Sequence, residues 1–354
     1  MGHLFCSFAT MKLSLYPYHH QFSYPFRIAH GMRMGTDVVY VLLEHEGLKA
    51  WGEATLPPYL PETQRTVIDF ISALAASIGN AGLDAWFEKL GKVETNMSAK
   101  AALDMALWSM KAQMQGKTVG ELFGIAGTYP EGFFTVGVCS KEEMKQRVDY
   151  ALKRGFERFK LKLNGENDAE IVGNFTSMYN HSFAVDVNSG WKTIDQAEEF
   201  LPVLDDTPCT LIEQPFPKIW IEELKEFRDN CSYDLFADES CQRLSDIEGL
   251  RDSFDGINIK LMKCGGITEA LQMIKRARAL EMKVLIGCMS ESSVGCTAAA
   301  HLTPLADYAD LDGHYLLGND SFEGMRMKDG KIEINPVVWK WNQDLDKNAI
   351  VILS

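Results

Sequence analysis

Apolar and polar positions change their rhythm about a third of the way along this 354-residue chain. Before that point, Val38-Val39-Tyr40-Val41-Leu42-Leu43 and Leu48-Lys49-Ala50-Trp51-Gly52 are β-rich runs flanking His45-Glu46-Gly47, which predicts a hairpin. Two helical stretches follow. One runs from about Pro61 to Ile78, and the other starts near Ser98, with Ala102, Leu103, Ala106, Leu107 and Met110 at three- to four-residue spacing. From about Phe133 onward, short apolar runs alternate with charged segments of helical period. The strands expected there are Phe133–Val138, Arg158–Leu163, Phe183–Val187, Cys209–Ile212, Asp234–Ala237, Gly256–Ile259, Lys283–Ile286 and Asp307–Leu311. Ser140 and Thr268 stand where helix N-caps belong. Eight strands alternating with helices predict an α/β parallel barrel rather than a doubly wound open sheet, whose Gly-rich first turn is absent.

Composition narrows the partners. With 46% apolar and 24% charged residues the chain is globular, and its net charge of −14 disfavours nucleic acid and anionic membrane surfaces. No apolar run approaches the length of a membrane span. The cysteines, Cys6 among them, are scattered without a CxxC pair, which predicts reduced thiols in a cytoplasmic protein. Gly116-Lys117-Thr118 is no phosphate loop, because Lys111 occupies the position where the leading glycine is needed.

In a parallel barrel the active site gathers at the C-terminal ends of the strands. The residues there form a series, Lys162, Asp186, Glu213, Asp238 and Lys260, each one βα unit after the last. Three converging carboxylates without His or Cys suit Mg²⁺ or Mn²⁺ and disfavour zinc. Asn188, two residues after Asp186, is placed to support the metal or to cap a turn. Lys160 and Lys162 alternate with Phe159, Leu161 and Leu163, so both face inward. At about 6 Å two ammoniums repel by roughly 2–3 kcal/mol, which is expected to push one toward use as a base near neutral pH. Lys260 lies four staves across the mouth from Lys162, whereas Lys263 is assigned to the following loop. A carboxylate substrate on the metal would have its α-proton acidified through a stabilised enediolate. One lysine would remove that proton and the other return it, inverting the carbon.

The runs Phe159-Lys160-Leu161-Lys162, Asp186-Val187-Asn188, Glu213-Gln214-Pro215, Asp238-Glu239-Ser240 and Ile259-Lys260-Leu261-Met262-Lys263-Cys264-Gly265-Gly266 resemble the muconate-lactonizing subgroup of the enolase superfamily. The resemblance covers nearly the whole chain. It implies a (β/α)7β barrel at 131–317, an N-terminal α+β cap at 1–130 and a segment at 318–354 returning to the cap, with the metal on Asp186, Glu213 and Asp238. Asp310 and Asp312 look like the signature of dipeptide epimerases of the L-Ala-D/L-Xaa type, in which such a pair holds the substrate's amino terminus while its carboxylate meets Mg²⁺. Thr135 sits where those enzymes contact the peptide. The resemblance therefore implies an isomerase acting on a small dipeptide and forming a homo-oligomer. The competing reactions on this scaffold are o-succinylbenzoate synthesis, N-acylamino acid racemisation and muconate cycloisomerisation. A barrel that binds without catalysis would not need two opposed lysines.

The loop expected at Phe22–Gly35 closes over the pocket in this subgroup, and members preferring an acidic second residue carry a basic group there. The matching position falls at His30 or Gly31, flanked by Arg27 and Arg33, while Phe26, Ile28 and Met32 favour apolar dipeptides.

Overall fold

The strands β1 (Lys12–Ile28), β2 (Gly31–His45) and β3 (Leu48–Leu56) form an antiparallel sheet, and the strand Ile350–Leu353 pairs with the outer edge of β1. The computed structural model describes residues 11–29, 31–79, 81–340, 345, 347 and 349–353. Between β2 and β3, Glu46 and Gly47 have φ of 50° and 82°, the backbone of a two-residue type I′ hairpin turn. The segment Phe22–Gly35 is not an irregular loop. It is the far end of the β1–β2 hairpin, in register from Phe26↔Arg33 to Ile28↔Gly31, so its side chains alternate between two faces. His30 lies outside the described residues.

One face of this sheet is covered by α1 (Gln64–Ile78), α2 (Leu83–Leu90) and α3 (Met97–Met114). Helix α1 starts at Gln64 because Thr63 and Thr66 cap each other's backbone amides. Helix α2 was not expected, since it is short and begins at Gly82 without a side-chain cap. Val39, Val41, Leu43, Ala50 and Ala54 of the sheet pack on Ala102, Leu103, Ala106, Leu107 and Met110 of α3. Gly52 sets how close they come. A Cβ there would lie 1.9 Å from the Ala102 carbonyl oxygen, so any other residue would lift α3 off the sheet.

The barrel strands are β4 (Phe133–Val136), β5 (Arg158–Lys162), β6 (Phe183–Asp186), β7 (Cys209–Glu213), β8 (Asp234–Ala237), β9 (Gly256–Lys260), β10 (Lys283–Gly287) and β11 (Tyr308–Asp310). They pair in parallel in chain order, and a parallel bridge between Gly132 and Ala309 joins the two edges. All eight coincide with the apolar runs in the sequence. Their alternation divides the side chains cleanly: Phe159, Leu161, Val185, Ile212, Ile257, Ile259 and Ile286 pack outward in the main core. Inside, Phe133, Ala184, Leu211, Phe236 and Leu285 form an apolar plug. The residues one step further along the strands point into the mouth above it.

The N-cap of the helix Ile267–Ala279 is Gly266, not Thr268. Thr268 is the second residue of the helix, and its amide and hydroxyl both donate to Asp104 of α3, at 3.0 and 2.5 Å. A carboxylate from the cap thus holds the start of a barrel helix, and Trp108 Nε1 donates to the Thr268 hydroxyl at 2.8 Å. Among the described residues no helix is long and apolar enough to cross a membrane. Seven cysteines are free, and Cys6 lies outside the described residues.

Candidate active site

Asp186, Glu213 and Asp238 end β6 and β7 and follow β8, and their ligand atoms come within 4.8 Å of one another. All three side chains are buried. Lys162 donates to Asp186 at 2.5 Å, and Lys260 donates to Asp238 at 2.6 Å. Since Lys162 ends β5 and Lys260 ends β9, the two ammoniums approach the carboxylates from sides four strands apart. Asn258 steadies Glu213 with a 2.8 Å bond. Lys263 lies in the short helix Leu261–Cys264 rather than in a loop. Its ammonium is committed to the Asp238 side chain at 2.6 Å and to the carbonyls of Asp238 and Asn258 at 2.7 and 2.9 Å. Both lysines line the pocket, but Lys263 is a strap with three protein acceptors, whereas Lys260 donates to the Asp238 side chain alone.

The residues fit a hard divalent cation. Burial opposes the charge of Asp238, but Lys260 and Lys263 outweigh it and hold that carboxyl well below its usual range. Glu213 goes the other way: burial, and then the charge of Asp186, push it up to about 7. A divalent cation among the three carboxylates would favour the charged form of Glu213 against that burial. Asn188 lies past the strand with φ of 47°, and its amide donates to Asp186 at 3.0 Å. Its side chain donates to Glu239 at 3.2 Å, leaving Asn188 Oδ1 and Glu239 Oε2 buried without a donor beside the triad.

Lys160 departs from the sequence expectation. Burial disfavours its charge, yet Asp310, Glu213 and Asp186 surround it and hold its pKa well above the ordinary lysine value. It pairs with Asp310 and donates to Glu213 at 3.1 Å. Repulsion between Lys160 and Lys162 is thus offset by carboxylates that the strand pattern of β5 alone did not reveal.

On the adjoining rim, Asp310 ends β11, but Asp312 does not extend that strand. It precedes the short helix Gly313–Leu316 and turns back into the same pocket. Thr135 joins the two: its hydroxyl donates to Asp310 at 3.1 Å and its amide to Asp312 at 2.5 Å. Burial, and then Asp310, push Asp312 up to about 7; the neighbouring Lys160 ammonium pairs with Asp310, and no ion pair forms with Asp312 among the described residues.

The pocket above these groups has a volume of about 450 Å³. Its cap-side wall was only half legible. Tyr24, Phe26 and Ile28 of β1 face inward, as does Arg33, the cross-strand partner of Phe26. Met32 points outward and is 54% exposed, and Arg27 is exposed as well. The Arg33 guanidinium lies 5.5 and 5.8 Å from the rings of Phe22 and Tyr59 and donates to Ser290 at 3.3 Å. Its second terminal nitrogen, Nη1, is buried without an acceptor. No carboxylate among the described residues pairs with it, and burial lowers its pKa. Tyr59, Met289 and Ser290, which complete this wall, were missed, because they lie in connecting segments that carry no periodic signal.

Comparison with known proteins agrees with this geometry. Residues 12–124 match the mandelate racemase/muconate lactonizing enzyme N-terminal domain, and residues 143–336 match the enolase C-terminal domain-like family. The L-Ala-D/L-Glu epimerase of Bacteroides thetaiotaomicron is 34% identical over 92% of this chain and 86% of its own length. The hydrophobic dipeptide epimerase of Roseobacter litoralis is 32% identical, over 90% of this chain and 95% of its own. Among solved structures, the dipeptide epimerase from Enterococcus faecalis complexed with Mg and L-Leu-L-Tyr superposes with a TM-score of 0.84 at 28% identity, covering 92% of this chain and 97% of that one.

Proposed function

This chain belongs to the mandelate racemase/muconate lactonizing enzyme family of the enolase superfamily, and from that premise we propose that it is a Mg²⁺-dependent dipeptide epimerase. The observation that carries the reading is one constellation: an acidic triad between Lys162 and Lys260, with the paired carboxylates of Asp310 and Asp312 on the rim.

Asp186, Glu213 and Asp238 would hold Mg²⁺, or Mn²⁺ in its place. When bound, the cation polarises the substrate's carboxylate and stabilises the negative charge that develops as the α-proton leaves. The chain's own residues do the rest. Lys162 takes or returns the α-proton on one face of the carbon and Lys260 on the other, so either epimer can be converted. Asp310 and Asp312 bind the substrate's ammonium, and Thr135 fixes the distance between them. Lys160 offsets the charge of Asp310, Glu213 and Asp186, keeping this end of the pocket anionic but not prohibitively so. An elimination or cycloisomerisation of a carboxylate without an amine would leave Asp312, beside the Lys160-paired Asp310, without a substrate ammonium to meet. The seven free cysteines support a reducing, cytoplasmic setting.

The relatives include both acid-selective and hydrophobic-dipeptide epimerases, so identity alone does not choose the side chain. Arg33 does. A half-buried guanidinium that lines the pocket and pairs with no carboxylate among the described residues favours a carboxylate in the side chain of the substrate's second residue. The test is deuterium wash-in at the α-carbon of that residue in D₂O, using L-Ala-L-Glu, L-Ala-L-Leu and their N-acetyl forms. The reading expects exchange with epimerisation, L-Ala-L-Glu fastest and the N-acetyl forms slow. Faster turnover of N-acetyl substrates would replace it with N-acylamino acid racemisation.

A further inference from the structure

The wall that carries Arg33 is anchored from behind by a group that never reaches the pocket. Glu53 lies on β3, fully buried. Its carboxylate accepts the Ser292 amide at 2.9 and 3.1 Å, the Ser292 hydroxyl at 2.5 Å, the Gly295 amide at 3.1 Å and the Thr55 hydroxyl at 2.6 Å. Those amides are at the start of the helix Ser293–Ala300, so a cap residue closes a barrel helix that would otherwise begin with unsatisfied donors.

The segment just before that helix is the pocket wall. Glu291 folds back so that its carboxylate accepts the Met289 amide at 2.9 Å. The turn is tight enough that a Cβ on Gly295 would lie 2.3 Å from Glu291 Oε2. Two cap side chains rest on it: Tyr59 donates to the Met289 sulfur at 3.0 Å and Arg33 to the Ser290 hydroxyl at 3.3 Å. Arg33 has no other hydrogen-bonded partner among the described residues.

We propose that Glu53 is a positioning residue for substrate selection, clamping residues 288–292 so that Ser290 seats the Arg33 guanidinium in the pocket wall. The proposal rests on the reading of Arg33 as the group that meets an acidic side chain. It separates Glu53 from the proton-transfer machinery: loss of the clamp loosens discrimination and leaves the lysines and the metal site in place.

The experiment is a double-mutant cycle with Glu53→Gln and Arg33→Ala, reading kcat/KM for L-Ala-L-Glu relative to L-Ala-L-Leu. Glu53→Gln is expected to lower that ratio about 10-fold, through KM for the acidic substrate, while kcat for both substrates and Mg²⁺ affinity by calorimetry stay near wild type. In the Arg33→Ala background, Glu53→Gln is expected to leave the ratio unchanged. A further drop there, or an equal loss of kcat with both substrates, overturns the proposal. If Glu53→Gln does not fold, Ser292→Ala keeps the carboxylate, removes one of its donors and reads the same coupling. Failure of the underlying function shows separately, as wild-type protein that epimerises neither dipeptide.

Discussion

Along the arc from β5 to β9, each reactive group stands at or just beyond the end of its own strand, and neighbours in space come from neighbouring βα units. The facing wall is assembled differently. Arg33 meets Ser290 across 257 residues of chain, and Tyr59 meets Met289 across 230. The arc inherits its geometry from strand register, which the whole barrel core enforces. The wall inherits its geometry from how the cap is docked. Chemistry and selectivity are therefore held by separate sets of contacts, and mutations can pull them apart.

The largest expected effects fall on the arc. Chelation with EDTA should abolish epimerisation and Mg²⁺ should restore it. Glu213→Gln should weaken metal binding, measured by calorimetry, at least as much as the roughly 10–100-fold that loss of an outer-shell partner costs. Full activity in chelator would remove the metal from the account. Next, Lys162→Ala and Lys260→Ala should each lower epimerisation by about 10²–10⁴-fold, the usual share of a general acid or base. Followed by NMR in D₂O, each variant should still exchange the α-hydrogen of one epimer, and the two should differ in which. Near wild-type turnover in either would end the two-lysine assignment.

Effects should shrink toward the rim and the junction. Asp312→Asn removes one charge from the ammonium site, worth roughly 1.5–3 kcal/mol for a charge-assisted bond, so KM for a free-amine dipeptide should rise about 10–100-fold with Mg²⁺ affinity retained. The smallest effect is expected at Asp104, where burial pushes the carboxyl up to about 6. Because the folded value lies above the unfolded one, the folded state holds the proton more tightly. Stability from this group is greatest below about pH 4 and falls as pH rises to about 6. Asp104→Asn should flatten part of that fall in thermal midpoint and leave kcat unchanged; an identical pH dependence in the variant would refute it.

How legible each region was follows from the same contrast. The eight strands and the residues Lys160, Lys162, Asp186, Glu213, Asp238 and Lys260 could be placed because period-two alternation with regular βα spacing fixes both position and facing. Asp312 lies beyond the end of β11 and reaches the pocket through a turn, which strand alternation does not predict. The carboxylate that pairs with Lys160, Asp310, is 150 residues away and could not be read from the alternation of β5. Thr268 looked like an N-cap from its own neighbourhood, but the group that satisfies the helix start is Asp104, on another layer. Arg33 had been weighed without knowing which face it took. That choice needed the hairpin register, which the apolar pattern around Pro25 does not specify.

The pairing of Ile350–Leu353 with β1 has a kinetic side. Leu13 opposes Leu353, so the cap sheet gains its outer strand only when segments about 340 residues apart meet, which closes a long loop. The barrel strands pair with their immediate successors, and only the closure between Gly132 and Ala309 is comparably long-range. During synthesis on the ribosome the barrel can form while the β1 edge is still bare, and an unpaired edge strand is open to pairing with other chains or to protease attack. The β1 edge is therefore exposed until Ile350–Leu353 docks on it.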